Sequence, residues 1–305
     1  ANVIAGMSLS PADCVLVTTP LSHSYGVDLL VATLSAGAAM HVASQFDPHV
    51  IAKQMRQSAT ILPGVPFTFE ALARVPPSGT TRLRLALSAG SSLPDRVARE
   101  FQGAWRMPVG QLYGATELGT VSMDIPGSPG FDPASVGMPL DGVEMCVVDP
   151  DDPSRLVPRG QEGHLAVRAP SMLSRYLDGD VPQVDNRFLT GDLARIGFDG
   201  RVYITGRLKL LIDIGAYKVN PLEVEAELAR HPGVAECVVV PLAASDTVQR
   251  LRAVYVPSNP EIPPCADELR RFLRGRLSAN KVPRVFEIVP ALPRSPAGKI
   301  RRNRV

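Results

Sequence analysis

The strongest constraint on the fold is an alternation that fills roughly the first third of the chain. Short apolar runs at Cys14–Thr19, Ala38–Val42, Thr60–Leu62, Leu83–Leu87 and Pro108–Leu112 read as strands. Between them, Asp28–Ala36, Asp47–Ser58, Phe67–Arg74 and Leu93–Gly103 read as helices. Strands that are separated by helices cannot close as tight hairpins. They return in the same direction and build a largely parallel sheet with helices on its faces. In such sheets ligands gather beyond the carboxyl ends of the strands, which directs attention to the loops after Leu87 and Leu112.

The pattern breaks near Ile125. Asp124–Pro133 and Asp149–Pro158 are rich in proline, glycine and aspartate, and the short runs Val143–Val148, His164–Arg168 and Arg201–Thr205 predict a small antiparallel β subdomain. After Arg207 a third pattern begins, with helix Pro221–Arg230, strands Val234–Val240 and Arg252–Val256, helix Ala266–Leu277 and strand Val285–Val289. The expected division is 1–124, 125–208 and 209–305: an α/β subdomain, a β subdomain and a small α+β C-terminal domain.

Composition narrows the function. With 32 basic and 30 acidic residues the net charge is +2, which gives no electrostatic footprint for nucleic acid or a membrane surface. The most apolar long stretch, Val27–Ala43, holds Asp28, Ser35 and His41 and is not a membrane span. Cys14, Cys146, Cys237 and Cys265 have no CxxC spacing and read as free thiols in a reducing, cytoplasmic setting. Lysine is scarce: only Lys53, Lys209, Lys218, Lys281 and Lys299 occur, and every other basic residue is arginine. A lysine kept in such a chain marks a place where a compact ammonium is wanted rather than a planar fork.

Four motifs carry chemistry. Tyr113-Gly114-Ala115-Thr116-Glu117 follows a predicted strand and combines a flat aromatic face, a permissive glycine, a hydroxyl and a carboxylate suited to magnesium. Thr190-Gly191-Asp192 is a turn signal whose aspartate can accept from a ribose diol. Gly206-Arg207-Leu208-Lys209 leads to Ile214-Gly215-Ala216-Tyr217-Lys218-Val219-Asn220-Pro221. The helix after Pro221 is read as plainly amphipathic, with no functional role for Glu223 or Glu225. Finally, Pro293–Arg302 places Gly298-Lys299 where an ammonium can meet a phosphate, or is simply a basic tail.

In this order and spacing the motifs resemble the acyl- and aryl-CoA synthetases of the adenylate-forming superfamily, which also holds luciferases and peptide-synthetase adenylation domains. Pro20–Gly26 is similar to the family's histidine-aromatic segment beside the acyl pocket, and Leu87–Leu93 to its small-residue loop under adenine and acyl group. Glu162-Gly163-His164-Leu165 with Arg175-Tyr176 resembles its β-subdomain motif. The resemblance runs from Pro11 to Arg302.

What the resemblance implies is ATP-dependent activation of a small-molecule carboxylic acid to an acyl-adenylate, followed by transfer to coenzyme A or to a carrier-protein pantetheine. Position by position, Tyr113 stacks on adenine and Gly114, Gly90 and Ser91 line the nucleotide and acyl site. Thr116 contacts phosphate and Glu117 binds magnesium. Asp192 holds the ribose hydroxyls with support from Arg207. Lys299 bridges carboxylate and α-phosphate, Lys209 is the hinge, and His23 lies near the acyl and thiol tunnels. Gly215, Ala216 and Tyr217 form the thiol-tunnel loop. The acyl pocket is expected from Pro20–Gly26, Gly64–Phe69, Ser88–Leu93 and Tyr113–Val121, which carry few charges and fit an apolar acyl or aryl group.

Two departures stand out. The family's Ser/Thr/Gly-rich phosphate loop ending in Pro-Lys-Gly is not among the 22 residues before His23, and Ser78-Gly79-Thr80-Thr81 is a decoy that comes too late. The expected architecture is therefore an incomplete large α/β domain with its β subdomain and a whole small domain, either a fragment completed by an N-terminal segment or a naturally shortened relative, and weak in activity alone. Ala216 stands where many relatives have a glycine, and its added methyl group is expected to narrow the thiol tunnel or limit backbone freedom. Two other readings remain: a non-catalytic adenylate-binding module, and an amino-acid adenylation domain. The latter carries an aspartate near the histidine segment and usually one at the hinge. Here the segment reads Leu21-Ser22-His23-Ser24-Tyr25, Asp28 lies a turn late, and the hinge is Lys209.

Overall fold

The alternation builds the sheet it predicts. In a computed structural model that describes residues 2–75, 79–214, 217–245, 248–295 and 300–305, with backbone alone for 243–245 and 248–249, the chain forms two compact units. Unit 1 is Ala1–Thr190 with Ala194–Ile204, and unit 2 is Gly191–Leu193 with Thr205–Val305.

Unit 1 begins with helix α1 (Asn2–Met7) and strand β1 (Cys14–Val17). There follow α2 (Ser24–Ser35), β2 (Ala39–Val42), α3 (Pro48–Gln57), β3 (Ile61–Gly64), α4 (Pro66–Ala73), β4 (Leu85–Ser88), α5 (Asp95–Trp105), β5 (Gly110–Ala115), β6 (Gly119–Asp124) and β7 (Met138–Pro139). They make a seven-stranded sheet in the order β2-β1-β3-β4-β5-β6-β7. The pairs from β2 to β5 are parallel, and β6 and β7 pair antiparallel at the end. One face is packed by Leu16, Ile51, Met55, Phe69, Phe101 and Trp105, the other by Met7, Val15, Leu29, Leu87 and Leu112. The helix starts follow local chemistry. The Asp47 side chain caps α3 by accepting from the amides of His49 and Val50, with Pro48 in the first turn.

The β subdomain is a second sheet of β8 (Glu144–Val148), β9 (Glu162–Arg168), β10 (Gln183–Val184), β11 (Arg187–Ile196) and β12 (Val202–Arg207). Its order is β10-β11-β9-β8, with β12 on β11. Leu118, Val121, Leu165, Val167, Phe188 and Val202 fill its core.

Several expectations are corrected. Thr190-Gly191-Asp192 is not a turn but lies inside the ten-residue β11, with Gly191 at φ +75°. Glycine supplies a left-handed kink within the strand, so turn chemistry was present without a chain reversal. Helix α2 begins four residues before Asp28, at Ser24, with His23 as its N-cap. Strand β5 runs to Ala115, so the Tyr113 motif starts inside the strand rather than after it.

Unit 2 holds the hairpin of β13 (Ile212–Ile214) and β14 (Tyr217–Val219), and helices α6 (Pro221–Leu228) and α7 (Ala266–Arg274). A three-stranded sheet runs β15 (Val234–Ser245), β16 (Val248–Pro257), β17 (Val285–Ile288). Val219, Val224, Leu228, Val239, Leu251, Tyr255, Leu269 and Leu273 are its core. The mixed α/β class holds, with a large sheet-bearing unit followed by a small α+β one. All four cysteines are free thiols, and among the described residues no helix is long and apolar enough to cross a membrane.

Candidate functional site

The expected ligand edge of the large sheet is built from three loops. The first enters α2. Gly26 is fixed by space: a Cβ there would lie 2.4 Å from the Pro20 carbonyl oxygen and 2.8 Å from the Leu21 Cα. Close packing of the first turn of α2 on the Pro20–Leu21 backbone leaves His23 exposed. The second loop follows β4. Gly90 sits at φ +83°, and Gly90 and Ser91 are exposed, while the Ser88 hydroxyl is buried with no partner among the described residues.

The third loop is the β5–β6 reversal. Tyr113 is half-buried beside the β-subdomain core, and Gly114 packs so tightly that a Cβ would meet the Gly119 carbonyl oxygen at 2.4 Å. Thr116 and Glu117 occupy the turn. The Thr116 hydroxyl donates to Ser24 Oγ at 3.2 Å, which ties this turn to the start of α2. Glu117 Oε1 accepts from the Tyr176 hydroxyl at 3.0 Å, and the Glu117 carbonyl accepts from Leu173 N at 2.7 Å. Burial and then the hydrogen bond to Glu117 push the Tyr176 phenol above its ordinary value. His23, Ser24, Thr116, Glu117 and Tyr176 are thus connected within unit 1.

Unit 2 carries the remaining described candidates. Asp192 is 4% exposed and accepts from Arg207 Nε, while most of the Arg207 side chain stays in solvent. Lys209 is exposed in a single 3-10 turn, Leu208–Leu210. Tyr217 is exposed at the start of β14, opposite Ile214. Gly215, Ala216 and Lys299 lie outside the described residues.

Sequence reasoning missed several supporting groups. Asn220 donates to the Thr205 carbonyl at 2.8 Å, accepts from Leu222 N, and packs where Gly206 has no side chain. That one residue caps α6 and fastens the segment that follows Arg207; the Asn-Pro dipeptide was its signal. Glu223 and Glu225 are also more than an amphipathic face. Glu223 binds Lys281 at 2.7 Å, and Glu225 binds Arg302 and the Val239 amide. No local pattern shows these partners, which lie 58 and 77 residues away.

A resident magnesium is implied by the motif. Among the described residues no group of three or more His, Cys, Asp or Glu side chains is placed to hold a metal. The donor chemistry nonetheless fits. Magnesium is commonly held by one or two carboxylates and completed by substrate phosphates and water, and Glu117 offers one hard carboxylate beside the Thr116 hydroxyl.

Comparison with known proteins identifies the family. Residues 1–177 match the AMP-binding enzyme family, and residues 223–299 match the AMP-binding enzyme C-terminal domain. A 4-coumarate–CoA ligase from Nicotiana tabacum is 32% identical over 312 residues, covering 95% of this chain and 56% of the relative. A feruloyl-CoA synthase from Amycolatopsis sp is 29% identical over 320 residues, covering 100% of this chain and 63% of the relative. A crystal structure of ATP-bound MatB from Rhodopseudomonas palustris superimposes with a TM-score of 0.91 at 29% identity, covering 99% of this chain and 61% of that one. The chain therefore spans about three fifths of the length of the relatives it matches. It belongs to the AMP-binding enzyme family.

Proposed function

We propose that the chain serves an AMP-forming acid–thiol ligase, which joins a carboxylic acid to a thiol at the expense of ATP. The observation that carries this reading is the turn after β5. There Glu117 is held by Tyr176 and Thr116 is held by Ser24, at the edge where an α/β sheet takes its ligands.

The chemistry proceeds in two displacements. A carboxylate oxygen of the acid attacks the α-phosphorus of ATP; a new O–P bond forms, the bond to the bridging oxygen breaks, and pyrophosphate leaves. The thiol sulfur then attacks the acyl carbon, loses its proton, and releases AMP as the C–S bond forms. In this reading Tyr113 offers its face to adenine, with Gly114, Gly90 and Ser91 allowing close approach. Asp192 accepts from the ribose hydroxyls, and Arg207 keeps that buried carboxylate aimed. Thr116 donates to a phosphate oxygen. Magnesium, held by Glu117, would supply positive charge against the phosphates.

Lys299 is assigned the carboxylate and α-phosphate in the first step, where negative charge gathers around phosphorus. Lys209 is assigned the hinge, and Gly215, Ala216 and Tyr217 the approach of the thiol. His23 lies at the entry of α2 and is assigned to the acyl and thiol approach.

Acid-dependent pyrophosphate exchange tests the reading, with plain carboxylic acids run beside amino acids. Lys299→Ala is expected to lower exchange by roughly 100-fold or more, while thioester formation from a supplied acyl-adenylate persists. Equal loss of both steps contradicts the role of Lys299. Preference for amino acids moves the chain to amino-acid adenylation, and binding of AMP without exchange leaves it a non-catalytic adenylate binder.

A further inference from the structure

The polar groups along α2 do not match an apolar acyl pocket. Asp28 is half-buried where α2 meets β6, and its carboxylate accepts from the Thr120 side chain. Its Oδ2 lies 3.9 Å from where a Cβ on Gly119 would stand, so the carboxylate lies against the start of β6. Among the described residues Asp28 forms no ion pair. One turn earlier, the Tyr25 hydroxyl is buried with no hydrogen-bond partner among the described residues. The two are close enough that the charge on Asp28, after burial, opposes ionisation of Tyr25. Burial also raises the Asp28 carboxyl above its ordinary value, with Thr120 pulling the other way.

An unpaired buried hydroxyl beside a carboxylate with no cation is an arrangement that folding alone does not favour, because each forfeits hydrogen bonds it had in water. Both become satisfied when a ligand brings a donor to Asp28. The place is suitable: Ser24 on the same helix is bonded to Thr116, the phosphate-contacting residue of the proposed site.

We infer that Asp28, with Tyr25 and Thr120 beside it, is a specificity-determining residue that selects carboxylic acids bearing a hydrogen-bond donor, a hydroxyl or an ammonium group, on the part of the acid remote from its reacting carboxylate. The inference rests on the proposed adenylation reading and deepens it, replacing the sequence-based expectation of a purely apolar acid. The Asp28 carboxylate accepts from the donor in addition to Thr120, Tyr25 gains a partner for its hydroxyl, and an apolar group of the same size leaves the Tyr25 hydroxyl unpaired and Asp28 with Thr120 alone. A site whose polar groups are stranded by the wrong ligand discriminates more sharply than one that differs only in shape.

Calorimetric binding of adenosine acyl-sulfamates to the full 305-residue chain tests it without requiring turnover. Three mimics of matched size are compared, carrying a plain, a hydroxylated or an amino-substituted acyl group, with AMP alone as reference. At least one donor-bearing mimic is expected to bind roughly 10- to 100-fold tighter than the plain one. Asp28→Leu should bring all three within a few-fold of each other while leaving AMP affinity unchanged. Asp28→Asn, which preserves shape, should retain a preference for the hydroxyl and lose any preference for the ammonium. Plain mimics that bind as tightly as both donor-bearing ones, or a preference that survives Asp28→Leu, overturn the inference and leave the adenylation reading in place. Failure of AMP and every mimic to bind overturns the adenylation reading and the inference with it.

Discussion

Arg302 grips Glu225 with both arms of its guanidinium, Nη1 to Oε1 and Nη2 to Oε2, each at 2.6 Å and across 77 residues of chain. The same carboxylate accepts from Val239 N, and Arg302 also donates to the Val239 carbonyl at 3.1 Å. The C-terminal residues are thereby fastened to α6 and β15 within unit 2. A basic run that reads as a solvated tail is partly a structural clasp.

Breaking a half-buried pair strands the remaining charge, so Arg302→Ala is expected to destabilise unit 2 by about 3 kcal/mol. Arg302→Lys should recover only part, because an ammonium cannot span both oxygens. Chemical denaturation of the single and double variants with Glu225→Ala measures the coupling. Additive losses would show that the clasp contributes nothing.

In unit 1 the corresponding tie is acid-sensitive. Arg84 donates to both oxygens of Asp13, at 2.8 and 2.9 Å, and Thr60 Oγ1 donates at 2.7 Å. The Arg84 guanidinium holds the Asp13 carboxyl well below the usual carboxylate range. A depressed folded pKa stabilises above the unfolded value of about 4 and loses that contribution as pH falls towards the folded value. Asp13→Asn should therefore cost about 3 kcal/mol at pH 7, and the difference from the parent chain should shrink progressively below about pH 4. A pH-independent difference would remove the charge from the explanation.

Two glycines should respond in opposite senses. Gly26→Ala forces a Cβ into the Pro20 and Leu21 backbone and should cost about 2 kcal/mol or more. It should also disturb the Thr116–Ser24 contact. Gly103, inside α5, has nothing within 4 Å of an added Cβ, so Gly103→Ala should stabilise by about 0.5–1 kcal/mol. Thermal unfolding of the two variants checks both signs.

The parallel part of the sheet was legible because each strand is a short apolar run followed by its own helix, as with Cys14–Val17 before α2 and Leu85–Ser88 before α5. The candidate site residues Tyr113, Thr116, Glu117 and Asp192 stand out in the sequence for a different reason: they belong to motifs with fixed order. Their settings do not. Thr190-Gly191-Asp192 carries turn chemistry, yet it belongs to a strand whose neighbour β9 ends at Arg168, well upstream. The Tyr113 motif straddles a tight reversal into β6, because Gly114 and Gly119 allow the two backbones to close. Asp28 lies a turn beyond His23 in the sequence, yet its setting is decided by Thr120 on another strand.

The proposed contact of Asp192 with the ribose of a bound adenylate is open to direct measurement. Calorimetric titration of the chain with AMP and with 2′,3′-dideoxy-AMP addresses it directly. A carboxylate held by Arg207 and accepting from the diol predicts that AMP binds roughly 10-fold or more tighter than the dideoxy analogue, and that Asp192→Asn abolishes most of that difference. Equal affinity for the two nucleotides, or a difference untouched by Asp192→Asn, would contradict the account.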